Sequence, residues 1–298
     1  MGPMTPRAKK RWMILGFGVL LLGVAASQLP SLGAGLILHP LHRRVVAAPP
    51  PMCQEVTFRG EGVDLQGWRG EVPGKSRGTL IYLHGVADNR VSGAGVLERF
   101  FKRGFDVVAY DSRAHGSSGG DACTYGFFEK QDLRRVLDHV RSGPVVLIGS
   151  SLGAAVALQL AASDKRISAV VAAESFSDLR TVATERAPFF FTTGTIERAF
   201  DIAERKGHFQ IDDVSPVSAA REITAPVLII HGAADTDTPP DHARRVFAAL
   251  AGPKQLILVP GARHNESLKG DIWSEIERWI DKVLDPAPGN TGAAANPP

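Results

Sequence analysis

Two apolar patterns take turns along the chain. Short continuous runs occur at Gly78–Leu83, Phe105–Tyr110, Val145–Ile148, Ile167–Ala173, Pro226–Ile230 and Gln255–Val259. Runs of this length, rich in β-branched residues, predict strands buried on both faces. Between them, Val96–Arg103, Gln131–Val140, Ala154–Ala162, Asp241–Leu250 and Ile272–Leu284 predict helices. The last carries Ile272, Ile276, Trp279 and Ile280 on one face, a helical stripe. Two shorter strands, Glu55–Phe58 and Asp64–Glu71, precede the series. Repeated strand–helix units imply a mostly parallel central sheet flanked by helices. Active sites in such sheets lie at the carboxyl ends of the strands.

The alternation is broken in three places. Residues 1–38 open with a basic stretch (Arg7, Lys9, Lys10, Arg11), then run from 12 to 38 without a charge. This predicts an N-terminal export signal or membrane anchor with the rest of the chain outside the cytoplasm, periplasmic or extracellular. The preferred reading is an uncleaved transmembrane helix. The alternative is a signal peptide cleaved near Ser27, after the small residues Val24 and Ala26, giving a secreted protein. Residues 39–52, with Ala47-Ala-Pro-Pro-Pro51, read as a stiff linker. The main domain follows at 53–284. Inside it, about 175–222 reads as a small helical lid containing Pro188-Phe-Phe-Phe191 and the helix Ile196–Lys206. Its phenylalanines either line an apolar acyl pocket or pack the lid onto the body. From 285 to 298 a Pro/Gly/Asn/Ala tail reads as disordered.

Composition removes some function classes. Thirty-four basic against 31 acidic side chains give a net charge of +3, which is no nucleic-acid footprint. Two cysteines, Cys53 and Cys123, are too few for a zinc cluster. They permit one disulfide in an exported domain without proving it. No metal or other cofactor is expected.

The candidate chemistry centres on Pro144–Ala162, PVVLIGSSLGAAVALQLAA. A buried strand runs into Gly149-Ser-Ser-Leu-Gly153 and then into an Ala/Leu-rich helix. This is the nucleophile-elbow arrangement, in which a sharp turn exposes the central serine, Ser151, beside a base. Ser150 is off-centre. The N–H of Leu152, at the helix start, suits a developing oxyanion. A second donor is expected in the loop after Leu80–Leu83, at Val86. Of nine histidines, His264, on a Gly-rich loop after the last strand, suits the base role. His39, His42, His139, His208 and His242 fall in linker, helix or lid positions, and His84 and His231 at strand ends before Gly. The base needs an acceptor to fix its tautomer. Asp235 follows the Val227–Ile230 strand and takes that role, with Asp237 as rival and Glu174 as a more distant candidate.

On these residues the chain resembles the α/β-hydrolase superfamily. It is similar within it to small membrane-anchored hydrolases of the bud-emergence type and to bacterial dipeptidyl-peptidase-like esterases. The matching segments are LHGVADNR, YDSRAHGSSGG, GSSLGAA, PVSAAREITAPVLIIHGAADTDTPP and GARHNE, between residues 83 and 266. The resemblance implies an α/β-hydrolase fold, a Ser151–His264–Asp235 triad and oxyanion donors at Val86 and Leu152. It further implies structural roles for His84, Asp111 and His115. Arg263 departs from the small residue or glycine usual before the base, which suggests a narrowed site or an anionic substrate. The expected function is serine hydrolysis of a small carboxylic ester or thioester through an acyl-enzyme. A peptidase of the same fold, or a membrane-tethered non-catalytic scaffold, is the alternative. A phosphatase using Asp235 and Asp237 as a metal-binding pair carries little weight, because the pair does not directly end a strand.

Overall fold

The computed structural model describes residues 5–141 and 143–285. The expected disordered tail lies, beyond Asp285, outside them. Eight strands form one sheet: β1 (Gln54–Arg59), β2 (Asp64–Gly70), β3 (Thr79–Leu83), β4 (Asp106–Tyr110), β5 (Val145–Ser150), β6 (Ile167–Ala173), β7 (Val227–Gly232) and β8 (Lys254–Val259). Their order across the sheet is β1-β2-β4-β3-β5-β6-β7-β8. Only β2 runs against its neighbours, antiparallel to both β1 and β4, and the pairings from β4 to β8 are parallel. The expected mostly parallel sheet is present.

Every residue of β3, β4, β5 and β7 is buried, because helices cover both faces. Helices α2 (Ala94–Phe101) and α9 (Ile272–Leu284) pack on one face, where Leu97, Phe100, Ile276 and Ile280 meet Leu80, Val107 and Ile148. Helices α3 (Glu129–Leu137), α4 (Leu152–Ala161) and α8 (Asp241–Ala249) cover the other, where Leu133, Val156 and Val246 meet Ile81, Leu147 and Ile229. Side chains alternate across a strand, so one uninterrupted apolar run serves both cores.

The lid region contains α5 (Leu179–Glu185), α6 (Thr193–Gly207), one 3-10 turn at Ile211–Asp213 and α7 (Pro216–Ala220). Asp178 and Thr192 cap α5 and α6 through side-chain bonds to Thr181 N and Thr195 N.

The N-terminal segment departs from expectation. Pro6–Leu38 forms one helix, α1, but among the described residues no helix is long and apolar enough to cross a membrane. The expected membrane span therefore finds no support. The carboxyl end of α1 belongs to the folded domain: Ala34 and Leu38 are each 1% exposed and lie in one apolar cluster with Phe176, Val182, Phe200 and Phe209. A Cβ on Gly33 would stand 2.9 Å from both Ala199 Cβ and Phe191 Cε2, so glycine there lets α1 approach the lid. The expected linker is likewise fastened down. Leu38 O accepts from Cys123 N at 2.8 Å, His39 bonds Asp121 O at 2.7 Å, and Arg43 O accepts from Asn89 Nδ2 at 3.2 Å. Cys53 and Cys123 are both free thiols.

Candidate active site

Strand β5 delivers Ser151 to the edge of the sheet with φ +49° and ψ −110°, a costly backbone conformation for a residue with a Cβ. The glycines either side make the turn possible. A Cβ on Gly149 would run into Gly153 and the Ala154 N, and one on Gly153 into the Leu83 carbonyl of β3. The Ser151 N–H is held by Ala173 O of β6 at 2.8 Å.

The loops after β7 and β8 bring the other two predicted residues to this serine. His264 Nε2 lies 3.1 Å from Ser151 Oγ, and His264 Nδ1 lies 2.7 Å from Asp235 Oδ2. Asp235 is 3% exposed and Ser151 5%. The other Asp235 oxygen, Oδ1, accepts from Asp237 N and Thr238 N, both at 2.9 Å. Burial pushes the Asp235 carboxyl up, but hydrogen bonds from His231, His264 and the Thr238 amide outweigh it and hold the group well below the usual carboxylate range. An ionised Asp235 requires the proton of His264 on Nδ1, which leaves Nε2 as an acceptor facing the serine hydroxyl. Of the two aspartates, Asp235 faces the imidazole, whereas Asp237 is exposed on the rim.

The Val86 loop is positioned by a buried histidine. Ser112 N donates to His84 Nε2 at 2.9 Å, so the proton sits on Nδ1 and is donated to Gly85 O at 2.7 Å. The Val86 N–H lies on the opposite edge of that planar trans peptide and has no partner among the described residues. A Cβ on Gly85 would lie 3.5 Å from Ser151 Cβ, so this loop runs directly beside the serine. Leu152 N opens α4 on the other side. Asp111, fully buried, ties the surrounding loops by accepting from Arg90 N and Ser117 N, both at 2.7 Å, and from the Arg90 guanidinium. His115 bonds Arg113 O at 2.8 Å and packs against His84, the two rings tilted by 58° with centres 5.2 Å apart.

Ser151 and His264 open into a cleft of about 500 Å³ that also presents Val86, Glu185, Arg186 and Asp237. Glu185 and Arg186, at the end of lid helix α5, escape sequence reasoning, because nothing local predicts where a lid helix ends in space. Glu185 is gripped by buried His242 at 2.7 Å. Arg186 reaches Asp237 O at 2.8 Å and Thr238 Oγ1 at 2.5 Å. The cleft's cation is thus Arg186. Arg263, expected to shape the site, is exposed and does not line the cleft. Glu174, the distant acid candidate, is not the acceptor of the His264 ring; its carboxylate accepts the N–H groups of Asn265, Glu266 and Ser267. A second cavity, of about 220 Å³, lies beside the first and shares Arg186 with it. Its walls are apolar: Leu36 and Ile37 of α1, Leu179 and Val182 of α5, and Phe191 and Phe200. Of the three expected pocket phenylalanines, Phe191 lines this cavity, while Phe189 and Phe190 are 99% and 53% exposed.

Comparison with known proteins agrees with this architecture. A family model for the alpha/beta hydrolase fold matches residues 78–209. The uncharacterized protein YqkD of Bacillus subtilis (strain 168) is 29% identical over 237 residues, 75% of this chain and 77% of that one. The mitochondrial palmitoyl-protein thioesterase ABHD10 of Mus musculus is 28% identical over 249 residues, 74% of this chain and 79% of its own. The solved Pyrococcus furiosus esterase Pf2001 superposes with a TM-score of 0.62 at 25% identity, covering 82% of this chain and 96% of that one. The chain is an α/β hydrolase by fold, with esterase and thioesterase neighbours.

Proposed function

We propose that the protein is a serine hydrolase of carboxylic esters or thioesters that works through an acyl-enzyme. The observation that carries this reading is the continuous hydrogen-bonded line from Ser151 Oγ through His264 to Asp235, beside a Val86 amide unpaired among the described residues. Ser151 Oγ attacks the acyl carbonyl carbon as His264 Nε2 takes its proton. Negative charge gathers on the former carbonyl oxygen, where the Val86 and Leu152 N–H groups hold it. The intermediate collapses, the C–O or C–S bond breaks, and His264 gives its proton to the departing alcohol or thiol. Water then attacks the acyl-Ser151 ester, His264 takes a proton from it, and the acid leaves as Ser151 recovers its hydrogen. Asp235 holds the imidazole and stabilises its charged form throughout.

The apolar cavity supports an acyl chain as the substrate's other end. It borders the cleft at Arg186 and is the size of several methylene groups. The cluster around it includes Ala155, one helical turn beyond Ser151. Burying a methylene is worth about 0.8 kcal/mol, or roughly fourfold in kcat/KM. In a p-nitrophenyl ester series, kcat/KM therefore rises from acetate by about that factor per carbon until the cavity is full. Ser151→Ala is expected to lower turnover by several orders of magnitude while leaving thermal melting unchanged. Turnover retained by the folded variant contradicts the mechanism.

A further inference from the structure

The carboxyl end of β6 touches the Ser151 turn, the strand β7 that leads to Asp235, and the His264 loop, though it supplies none of the three residues. Ala173 O accepts the Ser151 N–H at 2.8 Å, and the Glu174 N–H donates to Ile230 O of β7 at 2.8 Å, five residues before Asp235. The Glu174 carboxylate accepts from three successive amides that follow His264. Oε2 takes Asn265 N at 2.6 Å, while Oε1 takes Glu266 N at 3.1 Å and Ser267 N at 3.0 Å. Glu174 is 1% exposed and adopts φ +57°. A non-glycine residue keeps that conformation only where its surroundings compensate the strain. A buried carboxylate is likewise retained only when hydrogen bonds replace its water. Both costs fall at one residue, and both are met by bonds to the strand that leads to Asp235 and the loop that carries His264.

We propose that Glu174 is a positioning residue: the Ala173–Glu174 step ties the Ser151 turn, strand β7 and the His264 loop to one point, and the Glu174 carboxylate sets where His264 stands. This rests on His264 acting as the base. The neutral isostere tests it. In Glu174→Gln the amide oxygen can serve Glu266 and Ser267, but its NH2 then faces the Asn265 N–H, so the bond next to His264 is lost. Glu174 itself lines neither the cleft nor the apolar cavity. With full-length protein and a p-nitrophenyl ester, the expected result is a kcat at least tenfold lower with KM within threefold of wild type. Glu174→Asp keeps the charge on a shorter arm and recovers part of that loss.

Wild-type turnover is measured first. Its absence overturns the reading of the site and this proposal with it. A turning-over wild type beside a folded Glu174→Gln whose kcat is within threefold overturns the positioning role alone. A loss confined to KM, or to melting temperature, also overturns it. If Glu174→Gln does not fold, Glu174→Asp decides: reduced kcat at unchanged KM supports the proposal, and undiminished kcat overturns it. If neither folds, Glu174 is a folding determinant and the proposal fails.

Discussion

Asp235→Asn separates the position of the acid from its charge, and the structure specifies the outcome. Asp235 Oδ1 accepts two backbone N–H groups at 2.9 Å, and Oδ2 faces His264 Nδ1 at 2.7 Å. An asparagine must place its oxygen towards the two amides, because its NH2 there would confront two donors. The competing donor near Oδ2, His231 Nε2 at 3.3 Å, is better engaged by Thr238 O at 2.8 Å. The asparagine NH2 therefore points at His264 Nδ1, which must become an acceptor. The ring's proton moves to Nε2 and points at Ser151, so the base can no longer take the serine's proton. The expected loss is about 10⁴-fold in kcat, about 5 kcal/mol of barrier, without repacking of the site. Asp237→Asn, whose carboxylate lies on the exposed rim, should stay within threefold. The assay is steady-state hydrolysis of a short p-nitrophenyl ester, with circular dichroism to verify folding. An Asp235→Asn enzyme within tenfold of wild type, or a larger loss in Asp237→Asn, rules out this role for Asp235.

Three further outcomes follow from the same structure. Ile37→Trp should fill the cavity at the α1–lid junction and move the ester chain-length optimum to shorter acids while acetate turnover holds; an unmoved optimum rejects the cavity as the acyl site. A chain starting at residue 40 loses the buried Ala34 and Leu38 and should be less stable by about 2–4 kcal/mol than one starting at residue 28, read by denaturant melts; equal stability rejects a structural role for the end of α1. Burial, reinforced by neighbouring His115, pushes His84 down to about 4, below its ordinary value near 6.5. Above pH 6.5 both folded and unfolded chains carry it neutral. Between 6.5 and 4 only the unfolded chain binds the proton, so stability is lost as pH falls through that window. His84→Gln should flatten the fall in stability between pH 7.5 and 4.5 relative to wild type, and an identical fall in both proteins contradicts the assignment.

The parts of this site legible in the sequence are those fixed by local chain geometry. Gly149 and Gly153 flank Ser151 because the turn leaves no room for a Cβ, a requirement visible in five residues. Asp235 and His264 are legible because each follows a strand of a parallel sheet, whose loops converge at one edge. The sheet itself is legible because its central strands are apolar on both faces. Other parts depend on where distant segments meet. An uncharged apolar run reads the same whether lipid or a lid covers it, so the docking of α1 through Gly33, Ala34 and Leu38 is invisible in one dimension. Glu185 and Arg186 end a short helix with ordinary composition, and their place in the cleft comes from bonds to His242, Asp237 and Thr238. Glu174 is noticeable as an acid at a strand end. Its three amide partners belong to a loop 91 to 93 residues further along the chain.

The proposed reaction turns on Ser151 as a nucleophile activated by His264. The most direct measurement is reaction of the folded full-length protein with a fluorophosphonate, followed by peptide mass spectrometry. The expected result is one phosphonyl adduct per chain, on Ser151, abolished in Ser151→Ala and strongly slowed in His264→Ala. Absence of an adduct on folded protein, or an adduct on any other residue, would contradict it.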